Sequence, residues 1–261
     1  HEISLGLVGS EMCIRDSLVT GSSSGIGRAV AQAFAASSGK VAVHYRSNES
    51  GGHETLKSLE GKGHILVQGD IGQPEEARHI VQETVKQTGR IDIVVNNAAL
   101  IEQFDFDDLS YEEWTSIWDR TLSANLIGHT NVTFCAIHHM KKQGGGRFVN
   151  ISSRGAFRGE PTAPAYGASK AGINAFGQSM AQALIKHKIF IFTLAPGYVE
   201  TERVAPILEG RLGKGIKNQS PFGRVAKPKE VAQAAVLLAT EGNDFMTGCV
   251  VDINGASYLR T

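Results

Sequence analysis

Cysteine is scarce: three in 261 residues, Cys13, Cys135 and Cys249, odd in number and widely spaced. That excludes a disulfide framework and a thiolate metal site, and fits reduced, mostly buried thiols in a cytoplasmic protein. Charge of one sign is not in excess either, since Lys+Arg and Asp+Glu each number 26. No basic field for nucleic acid and no polybasic membrane face are therefore expected. No apolar run approaches the length that spans a bilayer, and the N-terminus lacks the layout of a signal peptide. The nine histidines make no HExxH-type cluster, so no metal is expected, and His138-His139 reads as a helix-end or surface pair. There is no repeat, no low-complexity linker and no second periodic domain, so the length suits one α/β domain.

What is present is alternation. Short β-rich runs, "SLVT", "VAVHY" (41–45), "HILVQ" (64–68), "IDIVV" (91–95), "RFVNI" (147–151), "IFIFTL" (189–194) and "CVVDI" (249–253), are separated by helix-length stretches. This pattern predicts a Rossmann-type, doubly wound α/β fold: a seven-stranded parallel sheet with helices on both faces. "SYEE" at 110–113 is a capping box that starts the helix carrying Trp114 and Trp118. "APAYGASKAGINAFGQSMAQALIK" reads as one long helix after Pro164. Residues 197–222 break the alternation and follow a strand's carboxyl end, where ligands bind in open α/β sheets; they read as a substrate loop or lid.

Thr20-Gly21-Ser22-Ser23-Ser24-Gly25-Ile26-Gly27 follows a strand and opens a helix. Glycines let the backbone turn tightly against a pyrophosphate, and the helix N-terminus offers it unpaired N–H groups. Gly21, Ser23, Ser24, Gly25, Ile26 and Gly27 are thus candidate dinucleotide contacts. Asp70-Ile71, Asn97-Ala98 and Pro196-Gly197 lie at three further strand ends and outline the same crevice. The second strand ends in Tyr45, Arg46 and Ser47 rather than the acid that usually selects NAD. A guanidinium and a hydroxyl suit a 2′-phosphate, so NADP(H) is the preferred cofactor, with NAD(H) as the alternative.

Tyr166 and Lys170 in "YGASK" stand four apart, on one helix face. A nearby ammonium, with the positive nicotinamide, is expected to pull the tyrosine pKa down from about 10, so that the phenol exchanges protons with a carbonyl or alcohol oxygen. Ser153 ends the fifth strand, where its hydroxyl can polarise the same oxygen. Asn125 lies mid-helix, a poor place for asparagine, and its carbonyl side is expected to hold a water that feeds protons to Lys170.

From Leu18 to about Ala256 the chain resembles the short-chain dehydrogenase/reductase family, in its compact single-domain branch. The resemblance implies Asn125, Ser153, Tyr166 and Lys170 as a catalytic tetrad. It implies cofactor contacts at Gly21, Gly25, Ile26, Gly27, Asp70, Asn97 and Thr201, with Val199 and Thr201 in "PGYVET" beside the nicotinamide end. The outline is most similar to 3-oxoacyl carrier-protein reductases, which implies a carbonyl substrate, free or carrier-bound, and a homotetramer. A glucose-type or other alcohol dehydrogenase is the enzyme alternative; a catalytically silent dinucleotide sensor or scaffold is the distant one. Three departures stand out. "NNAA" adds a methyl at Ala99, "INGA" (253–256) replaces a DGG-like ending, and "KHKIF" lacks a helix-ending glycine, so His187 or Lys188 must take the left-handed turn. In "RGAFRGEPTAP", Arg154 and Arg158 either meet an anionic substrate or are solvated loop charges, and the solvated reading is preferred.

"EMCIRDS" is an ill-suited start for the first buried strand. Asp16 falls on the same face as Leu18, while Arg15 points away. Either the strand starts late at Ser17, or Asp16 has a distant partner, or residues 1–17 are not native. "LVGSEMCIRDS" resembles a peptide that recurs when adapter DNA is translated. We favour that third reading, give residues 1–17 no functional weight, and place the domain at 18–261.

Overall fold

Each apolar, β-branched run forms a strand, because every one can be covered on both sides. A computed structural model describes residues 15–37 and 39–260. The strands are β1 Ser17–Val19, β2 Val41–Tyr45, β3 Ile65–Gln68, β4 Ile93–Asn96, β5 Gly146–Ile151, β6 Ile189–Pro196 and β7 Val250–Ile253. They make one sheet in the order β3-β2-β1-β4-β5-β6-β7, and every pairing is parallel. The order reverses between β1 and β4, which opens a crevice at their carboxyl ends.

The helices are α1 Gly25–Ala36, α2 Glu49–Lys57, α3 Pro74–Thr88, α4 Tyr111–Leu122, α5 Gly128–Gln143, α6 Gly155–Arg158, α7 Pro164–Leu184, α8 Ala205–Glu209, α9 Gly213–Lys217 and α10 Pro228–Ala239. Strand alternation divides the interior into two cores. Val19, Val43, Val95, Val149 and Phe192 face α1 and α10, whereas Leu18, Ala42, Val94, Phe148 and Ile191 face α3, α5 and α7. With both faces sealed, polar groups concentrate at the strand ends.

Local signals resolve as their chemistry dictates. Ser110 and Glu113 form the capping box of α4. Lys188 takes the left-handed turn at φ 55°, where glycine would avoid the cost, about 1 kcal/mol, of a Cβ in that region. In "INGA" Gly255 and Ala256 are both left-handed, at φ 58° and 57°. Residues 197–222 are not a bare loop: they contain α8 and α9, whose Leu208 and Ile216 pack with Tyr198, Val204 and Val225.

Residues 1–14 lie outside the described residues, so most of the doubtful 1–17 segment does too. Within it, β1 starts at Ser17, and Asp16 is buried with a distant partner. Its Oδ1 accepts the Lys40 backbone N–H at 3.0 Å, and Lys40 Nζ stands 4.0 Å from Oδ2. Arg15 pairs with Glu241. Burial, with Asp92 nearby, outweighs Lys40 and raises the Asp16 pKa above the usual carboxylate value. A raised acid pKa means the folded state binds the proton more tightly, so the cost is absent below pH ~4 and grows as pH rises through the folded value. Asp16→Asn should therefore raise the melting temperature at pH 7 by about 2 °C or more, and the gain should vanish near pH 3.5. Equal melting temperatures at pH 7 would contradict this.

Candidate active site

The turn after β1 is built to present backbone to a ligand. Gly21 and Gly25 hold positive φ (63° and 55°), and a Cβ on Gly21 would stand 2.7 Å from the Ala98 Cα. A Cβ on Gly27 would stand 2.5 Å from Asn97 Nδ2, so glycine there lets α1 approach the β4 end closely. Asn97 Nδ2 donates to the Thr20 and Gly21 carbonyls at 2.9 and 3.1 Å, and Thr20 Oγ1 accepts the Asn97 and Ala98 amides at 2.9 and 3.1 Å. The turns after β1 and β4 are thereby stitched together across the switch point.

Two buried polar clusters that sequence reasoning missed complete the support. His44 in β2 accepts the Gly21 N–H on Nδ1 at 2.9 Å, while Nε2 pairs with the Gly69 carbonyl at 2.9 Å. The ring must be neutral, with its proton on Nε2, and full burial lowers its pKa to about 4. Asn96 Nδ2 donates to Thr133 Oγ1 at 3.1 Å and Asn150 Oδ1 at 2.9 Å, tying β4 to α5 and β5. A histidine inside an otherwise apolar buried strand, "VAVHY", was the available signal.

The predicted cofactor residues line this crevice unevenly. Arg46 is exposed and lies 3.7 Å from Asp70 Oδ2, which sets a guanidinium and a carboxylate side by side at the ends of β2 and β3. Ser47 is exposed, but Tyr45 is buried with its ring against Gly52 of α2. Ile71 is buried too, while Asp70 Oδ1 accepts the Gly72 N–H at 2.9 Å. Ser23 lends its carbonyl to Arg28 at 2.8 Å, and Ser24 precedes α1 without a side-chain cap bond. At the other end, Pro196 O accepts the Arg154 N–H, Gly197 N–H bonds Ile253 O, and Val199 pairs with Ala226. Thr201 reaches across to Gly25: its Cγ2 would lie 3.1 Å from a Cβ there.

Ser153, Tyr166 and Lys170 converge where β5 meets α7. Ser153 stands near enough to the Tyr166 phenol to favour its ionised form, and its Oγ accepts the Gly155 N–H at 3.0 Å. Lys170 is buried, its Nζ donating to the Ile151 carbonyl at 2.8 Å and lying 5.6 Å from the Tyr166 ring centroid. The electrostatics differ from the sequence expectation. Burial raises the Tyr166 pKa, and Ser153 offsets only part of that; burial lowers Lys170 to about 8. Desolvation is the largest influence on both groups, and the Lys170 ammonium donates to the Ile151 carbonyl.

Asn125 is fixed by the neighbouring backbone. It sits in a π-helical turn, Ser123–Ile127, between α4 and α5, a widened turn common at functional sites. Its Oδ1 accepts the Leu100 N–H at 2.7 Å, and Nδ2 donates to Leu100 O and Ser169 Oγ at 2.7 and 3.2 Å. The side-chain carbonyl thus accepts one backbone N–H and keeps a second lone pair. Arg154 corrects the solvated-charge reading: it is 3% exposed, bonds Ser257 Oγ at 2.6 Å and Gln219, and stacks on Tyr198. Arg158 is exposed, as read. Beside Arg154 lies a cavity of about 160 Å³, lined in part by Tyr198, Ser220, Phe222, Asn254 and Ser257.

The residues present fit a dinucleotide. Glycines stand where a Cβ would fill the cradle, and the Gly25 N–H already bonds an anion, the Glu202 carboxylate, at 3.1 Å. Fold and site together define a Rossmann-type oxidoreductase with a Ser-Tyr-Lys cluster at the carboxyl edge of its sheet. Residues 21–256 match the family profile described as enoyl-(acyl carrier protein) reductase. Acetoacetyl-CoA reductase of Rhizobium meliloti is 34% identical, over 94% of this chain and 99% of its own. General stress protein 39 of Bacillus subtilis is 34% identical over 94% and 84%. The 3-oxoacyl-[acyl-carrier-protein] reductase of Chlamydia trachomatis is 30% identical over 92% and 96%. A crystal structure of a dehydrogenase/reductase from Sinorhizobium meliloti superposes with a TM-score of 0.87 at 23% identity, over 96% of this chain and 98% of that one. The chain belongs to the short-chain dehydrogenase/reductase family.

His44 carries a prediction of its own. Its folded pKa lies below the ordinary 6.5, so its stabilisation is complete above pH ~6.5 and is lost as pH falls through about 4. His44→Leu leaves the Gly21 N–H and Gly69 C=O unpaired and should cost about 2 kcal/mol or more at pH 7. It should also flatten the fall in stability between pH 6.5 and 4; an unchanged slope in urea titrations across that range would contradict the assignment.

Proposed function

We propose that the chain is an NADP(H)-dependent reductase of 3-oxoacyl thioesters or closely similar carbonyl compounds, reversible toward the secondary alcohol. The observation that carries this reading is the Ser153-Tyr166-Lys170 cluster, placed across the sheet's carboxyl edge from the glycine turn. The names of two relatives support the substrate class: an acetoacetyl-CoA reductase and a 3-oxoacyl carrier-protein reductase. Exposed apolar side chains at Phe134 on α5, Leu237 on α10 and Phe245 ahead of β7 support assembly as a homotetramer.

When bound, NADP(H) supplies the hydride that reaches the carbonyl carbon. The chain supplies the rest. Gly21, Gly25, Ile26 and Gly27 hold the diphosphate, Asn97 and Asp70 line the adenosine side, and Thr201 holds the nicotinamide end. The Ser153 hydroxyl bonds the substrate oxygen and fixes its direction. Tyr166 carries its proton on Oη, where burial keeps it at neutral pH, and gives it to that oxygen as charge develops there. The nearby Lys170 ammonium stabilises the phenolate left behind. Asn125 keeps Leu100 and the π-turn in place beneath this cluster.

Arg46 is the 2′-phosphate contact in this reading. It already stands beside an oxyanion, Asp70, and exchanges it for the doubly charged phosphate.

Tyr166→Phe should lower kcat by about a thousandfold in NADPH oxidation with acetoacetyl-CoA, while NADPH affinity stays within a few-fold. Unchanged turnover would overturn the mechanism. Arg46→Ala should cut the ratio of kcat/KM for NADPH over NADH by about tenfold, the size of one charge-assisted contact. A wild-type preference for NADH would overturn the cofactor assignment.

A further inference from the structure

We propose that Glu202 is an internal anion that holds the diphosphate position at the N-terminus of α1, so that dinucleotide entry must displace it and thereby frees the segment leading into α8. The inference rests on the dinucleotide reading above and goes beyond it, since nothing in that reading requires an acidic side chain at this position.

The geometry is specific. α1 is a 12-residue helix with no acidic residue in its first turn, and its N-cap Ser24 makes no side-chain cap bond. The first-turn donors are therefore not satisfied from within the helix. Glu202, from the excursion after β6, fills that role: Oε2 accepts the Gly25 N–H at 3.1 Å, and Oε1 lies 3.9 Å from Arg28 NH1. Arg28 is anchored independently, by Ser23 O at 2.8 Å and Glu54 at 3.1 Å, so it stays in place when Glu202 leaves.

A carboxylate on the amides of the glycine turn is a stand-in for phosphate oxygens, held by the same dipole and the same donors. Two anions cannot share one N–H group, so the affinity measured for the dinucleotide is its intrinsic affinity less the cost of expelling Glu202. The side chain is 63% exposed, so these two polar contacts, not packing, hold it.

Displacement does not stay local. Glu202 directly follows Thr201, whose carbonyl accepts the Val204 and Ala205 amides at 2.9 Å each and so begins α8. The Thr201 methyl packs over Gly25. Moving the carboxylate off Gly25 pulls on the residue expected at the nicotinamide end and on the helix that follows. Glu202 thereby links occupancy of the phosphate cradle to the position of the substrate-loop helices.

The test is calorimetric titration of the full chain, wild type, Glu202→Gln and Glu202→Ala, with NADPH, ADP and adenosine. Both variants should bind NADPH and ADP about fivefold more tightly, the upper scale of an exposed carboxylate at a helix N-terminus, and adenosine, which lacks phosphate, within twofold. Without ligand, the Val204–Leu208 amides should exchange with deuterium faster in Glu202→Ala than in wild type. Unchanged or weaker NADPH and ADP binding, or unchanged exchange, overturns the proposal. If NADPH binds none of the three proteins, the dinucleotide reading falls and this inference with it; if all three bind alike, only the inference falls.

Discussion

A sheet sealed by helices on both faces can offer polar groups to a ligand only along its edges, and the tie between the β1 and β4 turns decides where. Thr20, Gly21, Asn97 and Ala98 exchange four hydrogen bonds of 2.9–3.1 Å across the switch point. Those bonds hold the two turns against each other, beside the N-terminus of α1. His44 fixes the Gly21 N–H to β2 and the β3 end. Three neighbouring strands thus set one turn, and small residues at 21 and 27 are obligatory because backbone and Asn97 occupy the space a side chain would take.

The proposed catalytic cluster follows from the same sealing. Ser153 emerges just past the buried β5, and Lys170 lies beneath it with its ammonium on the Ile151 carbonyl. Desolvation then moves the two titrating groups in opposite directions: the tyrosine toward keeping its proton, the lysine toward losing one. In the proposed reductive direction that suits a proton donor. A neutral phenol is required at the start, and the lysine becomes most valuable as the phenolate forms.

Much of this was legible in the sequence because it rests on short-range chemistry. Alternating β-branched runs marked all seven strands, SYEE marked a cap, and the absence of glycine in KHKIF narrowed the strained turn to His187 or Lys188, of which Lys188 takes it. Glycine spacing located the turn after β1. What could not be read depends on partners distant in the chain. Asp16 is answered by Lys40, Arg154 by Gln219 and Ser257, and the Asn125 carbonyl by Leu100. The upward push of burial on Tyr166 in the protein alone was illegible for the same reason: sequence spacing shows that a lysine is near, not how deeply both groups are buried or where the ammonium donates.

The most direct measurement is single-turnover mixing of the enzyme–NADPH complex with acetoacetyl-CoA, following nicotinamide fluorescence and the 3-hydroxyacyl product together. A crevice that binds the dinucleotide and a Tyr166 that delivers the proton predict one 3-hydroxyacyl thioester formed for each NADPH consumed. NADPH that binds yet is not oxidised by acetoacetyl-CoA or by other 3-oxoacyl thioesters would contradict it.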